Sequence, residues 1–562
     1  MKRRKFIQSA LAGTAAFAST GAGLLLSGCG KGPLEQRKDL VNNAGAPFAA
    51  YPHDPVRAEN FTNPLFIPGG EGPFGVLNVT DTPLTLKARP ATFPILDGRA
   101  SPFLLYETSD AGKSYQNPIF RIKRDSRFTA TLQNGLNEPT IIHWHGLHLP
   151  ANMDGHPNDT IAAGQNYPYA FTVTNRGGTY WYHSHADQLT AEQAYGGLAS
   201  FFIVEDDDEL QLARVLDLKF GETDLPLVIQ DKRFNAAGEL VYQPNPMERM
   251  MGYLGDIVLV NLTPNAYLEI GPRFYRFRCL NGSNARVYKL GFMRGKEQLA
   301  YQVIGTDGGL LDRPYPAKEV FLAPAERLDV LFDASQLRQG DTVFLKSLAF
   351  DPMELDGAMG GMGGMGGGMM GGRQRNNQMS QMDGNTRLAN GLEFNLLKLV
   401  VAKAAQGPRE VPARLSTLAP LDTAGVRPRR VTLSMGHMQW LINGQSFQRD
   451  TAAFEVLRAV EVWDIENATN SMIHPMHLHG FSFQVLGRSN SPAALRPLAT
   501  ASGGRVVTDL GWKDTVMIWP GETVRIAVDF RQAFPGAQLF LFHCHNLEHE
   551  DGNMMVNYRI PA

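Results

Sequence analysis

Towards the carboxyl end of the chain, His543, Cys544 and His545 stand side by side, followed by His549 and Met554. Cysteine, histidine and a weak thioether are the ligand set of a blue-copper electron-transfer site. Such a site needs no histidine on either side of its cysteine. In an extended segment alternate side chains face opposite ways. Cys544 can therefore face one metal while His543 and His545 face another, and one tripeptide could join two metal centres.

The sequence supplies candidates for the second centre. Histidine pairs separated by one residue occur at His143/His145, His183/His185, His477/His479 and His543/His545. With 14 histidines in 562 residues, chance predicts only ~0.3 such pairs. One pair alone would be read as a strand with one buried and one wet imidazole. Repeated pairs, one of them enclosing a cysteine, call for ligation. With His474 and His549 added, ten of the 14 histidines lie in these motifs. Imidazole suits copper and zinc alike. The lone thiolate with a methionine downstream favours copper, because structural zinc wants several closely spaced cysteines. The chain has only Cys29, Cys279 and Cys544. Cys279, in FYRFRCLNGSN, reads as a small buried hydrophobe on a strand.

Ligands at this spacing need strands to hold them. Gly 57 and Pro 35 are plentiful and long helical periodicities are scarce, which favours strands joined by turns. At 562 residues the chain is too long for one core. A net charge of −2 gives no hint of nucleic-acid binding, which would want a basic face, so no nucleic-acid partner is expected. Residues 118–150 align with 453–486, and 163–204 align with 520–560, each copy bringing two histidine pairs. The stretch from about 215 to 400 has the same strand rhythm without them. This self-similarity implies an all-β fold of three Greek-key β-sandwich units, the central one without ligands. The acidic run Glu205 to Glu209 reads as a solvated domain boundary.

HWHG at 143–146, YHSH at 182–185, HPMHLHGF at 474–481 and HCHxxxHxxxxM at 543–554 resemble, in the same order, the copper motifs of the multicopper oxidases. The resemblance covers nearly the whole mature chain. It extends to the bacterial periplasmic copper-efflux and laccase-type metallo-oxidases. It implies three cupredoxin-like domains, expected at 61–208, 209–405 and 406–562, and four coppers per chain. Type 1 copper would take His474, Cys544, His549 and an axial Met554, for which Met555 is the rival. Type 2 copper would take His143 and His477. The type 3 pair would take His145, His183, His185, His479, His543 and His545. The cluster would lie between the first and third domains and reduce dioxygen to water with four electrons passed on from the type 1 site. Asp154 and Glu550 match acidic positions that the family uses for proton delivery. His148 and His156 are expected behind the ligands or on the surface. His437, flanked by methionines, is a weak candidate for a copper-binding surface.

The substrate is read from methionine. Met353 to Met382 holds eight of the 21 methionines, in a Gly-rich run that cannot pack a core. Thioethers select Cu(I). The expected substrate site is Met359, Met362 and Met365 with Asn470 and Met472. Met472 lies two residues before His474, where copper-efflux oxidases place a substrate-binding methionine. Asn470 stands where copper-efflux oxidases carry a carboxylate. The first expectation is a Cu(I) oxidase that also oxidises phenols slowly. The second is a general laccase for phenols or aromatic amines. The third is a non-enzymatic copper-binding or assembly protein on the same fold. A monomer is expected.

The amino-terminal Lys2-Arg3-Arg4-Lys5-Phe6-Ile7 resembles a twin-arginine export signal. Leu26-Ser27-Gly28-Cys29 looks like a lipoprotein cleavage box. The expectation is export to the periplasm with residues 1–29 as signal, a lipid anchor on Cys29, and residues 30–60 as a tether.

Overall fold

The computed structural model describes residues 53–354, 386–404, 407, 410–449, 453–532 and 534–562. Arg3, Arg4, Cys29, Met359, Met362 and Met365 lie outside these residues.

Strand formation follows the apolar pattern. Along Arg127–Asn134 every second residue is buried, so Phe128, Ala130 and Leu132 share one face. The ligand-bearing strands differ. Gly178–Ser184 and His474–Leu478 are buried at every position. Strands covered on both faces read as continuous runs without alternation.

Three sandwiches share one strand arrangement. In the first, Leu84–Leu96 runs parallel to Arg127–Asn134 and antiparallel to Arg99–Asp110. Its second sheet orders Ile119–Lys123, Ala199–Glu205, Gly178–Ser184 and Ile142–His143, the first pair parallel and the rest antiparallel. The third sandwich pairs Arg429–Gly436 parallel with Val460–Asn467 and antiparallel with Gln439–Ile442. Its second sheet orders Phe454–Glu455, Met555–Ile560, Gln538–Cys544 and His474–Leu478 with the same directions. The second sandwich has Asp224–Phe234 parallel to Phe274–Asn281, and a sheet ordered Ala266–Ile270, Phe394–Val401, Thr342–Ser347 and Tyr288–Arg294. Each has its own apolar core, around Trp144, Phe277 and Trp463 respectively. The fold is all-β and cupredoxin-like.

The structure departs from the sequence reading at two joints. Within the stretch read as tether, Asp54 is buried and the Pro55 carbonyl accepts a hydrogen bond from the Asn395 backbone. Asn63–Pro64 then pairs with Ala266–Ile270, in the second sandwich and not the first. The acidic run at 205–209 is no simple solvated boundary. Asp206 caps the helix Asp207–Val215 by accepting from the Glu209 backbone, and Glu209 is itself buried against Arg276 and Arg278.

Candidate metal centre

Cys544 ends the strand Gln538–Cys544, in register with Met476 of His474–Leu478. A turn and the short helix Leu547–Asp551 bring His549 back over it. The Cys544 Sγ lies 3.5 Å from His474 Nδ1 and 3.4 Å from His549 Nδ1. Met554 is fully buried in the same apolar cluster as Cys544, and its carbonyl accepts from the Cys544 backbone at 3.1 Å. Met555 packs elsewhere, with Phe447 and Leu541. Trp440 covers the site, edge-on to His474 at 4.9 Å, with its indole N–H donated to the Met250 carbonyl. Burial pushes the Cys544 thiol up and the His474 imidazole down to about 3. The imidazole is a neutral ligand, and the thiol keeps its proton until a cation replaces it.

The neighbours of Cys544 face the other way. His543 Nε2 lies 3.0 Å from His479 Nε2, and His545 Nε2 lies 3.4 Å from His183 Nε2. His143 Nε2 lies 3.3 Å from His477 Nε2. Strand pairing places His143 opposite His183 in the first sandwich and His477 opposite His543 in the third. The first and third sandwiches meet across the gap between them. The tautomers make the fit to a cation specific. His143 Nδ1 donates to the Asp154 carbonyl at 2.7 Å, and His477 Nδ1 to the Asp514 carbonyl at 2.8 Å. Both Nε2 atoms therefore point lone pairs at each other. His479 donates Nδ1 to Asp154 Oδ2 and His543 donates Nδ1 to the Cys544 carbonyl, so that pair has the same conflict. A shared cation removes it. Among the described residues, five fully buried donor sets have their ligand atoms within 4.8 Å of one another: His143/His145/His477, His145/His183/His545, His185/His479/His543, His474/Cys544/His549 and His143/Asp154/His479. Burial and neighbouring imidazoles hold His143, His145, His477, His479 and His545 well below the ordinary histidine value, so all are neutral and open to a cation.

Carboxylates and one guanidinium orient this set. Asp154 joins His143 and His479, and burial raises its carboxyl well above the usual range. Glu550 places one oxygen 3.4 Å from His185 Nδ1 and the other 3.3 Å from His543 Nδ1. Asp514 Oδ1 lies 3.0 Å from His145 Nε2 and accepts from Arg327 at 2.8 Å. A ligating imidazole whose second nitrogen is held this way is fixed in tautomer and orientation.

Two segments match family models described as multicopper oxidase, residues 108–209 and 412–562. A laccase from Bacillus stratosphericus is 32% identical, over 74% of this chain and 79% of its own. The chain belongs to the multicopper oxidases. A bilirubin oxidase from Albifimbria verrucaria is 29% identical over 78% of this chain and 70% of its own. The McoA multicopper oxidase structure from Aquifex aeolicus superposes with a TM-score of 0.77 at 37% identity, covering 89% of this chain and all of that one. Multicopper oxidases bind copper and couple reducing substrates to dioxygen.

Other residues of this multicopper oxidase fall away from the donors. His148 donates Nδ1 to the Gly480 carbonyl, and His156 is held by Asn557 and Asn158. His437 is exposed at a hairpin tip, φ 51°. Asn470 is exposed, whereas Met472 is half-buried in a cleft it shares with Met251, Met353 and Ile473. Sequence reasoning missed Asp514, Arg327, Trp440 and Trp181. Only Trp181, in YWYHSH, adjoins a motif. Arg327 sits in the sandwich that carries no ligand, where nothing in the sequence directs attention.

Proposed function

We propose that this multicopper oxidase oxidises Cu(I) at the Cys544 centre and reduces dioxygen to water at the histidine cluster, with phenols as slower donors. In this reading His474, Cys544, His549 and Met554 hold type 1 copper, and His143 and His477 hold type 2. The triplets His145/His183/His545 and His185/His479/His543 hold the type 3 pair. Bound there, four coppers would supply one-electron acceptors and the capacity to reduce dioxygen. The chain's own part is covalent and protonic. Cys544 is joined by peptide bonds to His543 and His545, so donor and acceptor sites share one strand end. Asp154, whose carboxyl burial pushes up, stands beside His143 and His479 as a group able to exchange a proton. Glu550 stands between His185 and His543 on the other side.

The observation that carries Cu(I) is the thioether cleft. Met251, Met353 and Met472 line one cavity with Ile473 and Pro475, next to His474. Pro352, Met353 and Asn390 bring the chain on both sides of the Met-rich stretch to that cavity. Soft sulfur favours Cu(I) over harder reductants. Met359, Met362 and Met365 belong to the same proposal by sequence, and Asn470, outside the lining, is assigned no ligand role. Laccases among the relatives favour a second reading, a general phenol oxidase. Steady-state rates with Cu(I), Fe(II) and a phenol on fully copper-loaded protein separate them. Deleting residues 357–372, or Met472→Leu, should lower kcat/KM for Cu(I) and spare the phenol. Equal loss on both donors at unchanged copper content would favour the second reading. No turnover with any donor would leave a copper-binding protein. The amino-terminal motifs add export and a lipid on Cys29 to the proposal, which the mass of the mature protein tests.

A further inference from the structure

An apolar cavity lies between the first and second sandwiches, away from the thioether cleft. Its cavity volume is about 40 Å³, room for a small molecule. Phe66, exposed, and Phe74, half-buried, stand at its outer end. Phe103, Ile119 and Phe201 form its walls, and Trp181, only 3% exposed, closes its inner end. Asn261, Gln230 and Ser200, polar side chains of the lining, each hold hydrogen bonds within the protein. Asn261 donates to the Phe66 and Pro226 carbonyls and accepts from the Val228 backbone. Gln230 donates to the Gly282 carbonyl, and Ser200 to the Asn117 carbonyl. Water in a buried site needs two to four polar partners, and a cavity without them stays dry and takes apolar guests.

The inner wall makes this cavity more than a packing gap. Trp181 stacks on His183 at 4.3 Å and lies 5.1 Å from His145 and 5.6 Å from His545. These are the three members of one donor triplet. The buried Trp181 indole N–H has no hydrogen-bond partner. Stacking on His183 and packing against Ile119, Phe201, Ile203 and Leu280 hold the ring, so moving it breaks no hydrogen bond. An apolar space thus comes within one aromatic ring of the cluster.

We propose that this cavity is a dioxygen-binding chamber, with Trp181 as the wall between chamber and cluster. Dioxygen is small, uncharged and apolar, and is the one such molecule the reaction consumes. The chamber concentrates it from water by the same transfer that buries any apolar solute. It is independent of which electron donor is used.

Xenon is the probe. Crystals of the copper-loaded enzyme under xenon pressure should show xenon between Phe103 and Trp181, and xenon in solution should raise KM for dioxygen competitively. Val228→Phe and Leu262→Phe, which fill the cavity from the second sandwich, should raise KM for dioxygen several-fold. KM for the electron donor, copper content and the blue absorption should stay unchanged. Absence of xenon from the cavity overturns the proposal. So does a KM for dioxygen indifferent both to xenon and to a folded, fully blue filling variant; the cavity is then a packing void. If neither variant folds, the xenon measurements on the unaltered enzyme decide alone.

Discussion

Asp154 performs two tasks with different atoms. Its backbone carbonyl fixes the His143 tautomer, and its carboxylate fixes His479 while burial keeps it able to hold a proton. Asp154→Asn separates these tasks. The carbonyl is unchanged, and an amide oxygen can still accept from His479 Nδ1, but an amide exchanges no proton. The expected result is a fall in kcat of about 10²-fold with KM for the donor unchanged. Copper content and blue absorption should match the unaltered enzyme. Loss of copper in step with activity would make Asp154 merely a scaffold for the ligands. The sequence made this residue visible only through its motif, because Asp in the turn-like MDGHP is at home without any function.

At the scale of elements, the histidine pairs were legible because strand geometry leaves little freedom. Residues flanking Cys544 must face away from it, and the repeat of pairs marks equivalent strands in the first and third sandwiches. Cross-chain partners were not legible. The acidic run at 205–209 has the composition of a wet linker, yet Glu209 meets arginines 67 and 69 residues away. Arg276 donates to both Glu209 oxygens at 2.6 and 2.8 Å, and Arg278 donates at 3.0 Å. Arg278 also reaches Thr179, on the strand that carries His183. The helix between sandwiches is thereby tied to the ligand strand. Burial alone would raise the Glu209 carboxyl, but Arg276 and Arg278 outweigh it and hold it down to about 2. A carboxyl lowered on folding adds stability above its unfolded value near 4.5, and that stability is lost as pH falls towards 2. Glu209→Gln should destabilise the protein by about 3 kcal/mol at neutral pH, since it leaves buried guanidiniums short of a partner. It should also flatten the acid limb of thermal stability between pH 4.5 and 2. An unchanged acid limb would show that the cluster contributes nothing to stability.

Across the whole molecule, the second sandwich carries none of the copper ligands proposed above, yet it reaches the cluster. Arg327 leaves the strand Arg327–Asp333, donates to the Thr179 carbonyl of the first sandwich at 3.0 Å, and grips both carboxylate oxygens of Asp514 in the third. Asp514 holds His145 by its side chain and His477 by its carbonyl, so one guanidinium links all three sandwiches to two ligands. Asp307 accepts from the Arg327 backbone and pairs with Lys513 at 2.9 Å, extending the buried network. Arg327→Met should lower stability by about 3–5 kcal/mol, because the Asp514 charge loses its partner in the interior. It should leave the blue absorption intact while altering the electron paramagnetic resonance of the type 2 site and lowering kcat. Arg327→Lys should restore charge but not the forked geometry, and so recover stability more than turnover. The double variant Arg327→Met with Asp514→Asn removes the unpaired charge. If it regains stability and still turns over slowly, Arg327 acts by orienting ligands. If turnover returns with stability, the second sandwich only holds the other two together.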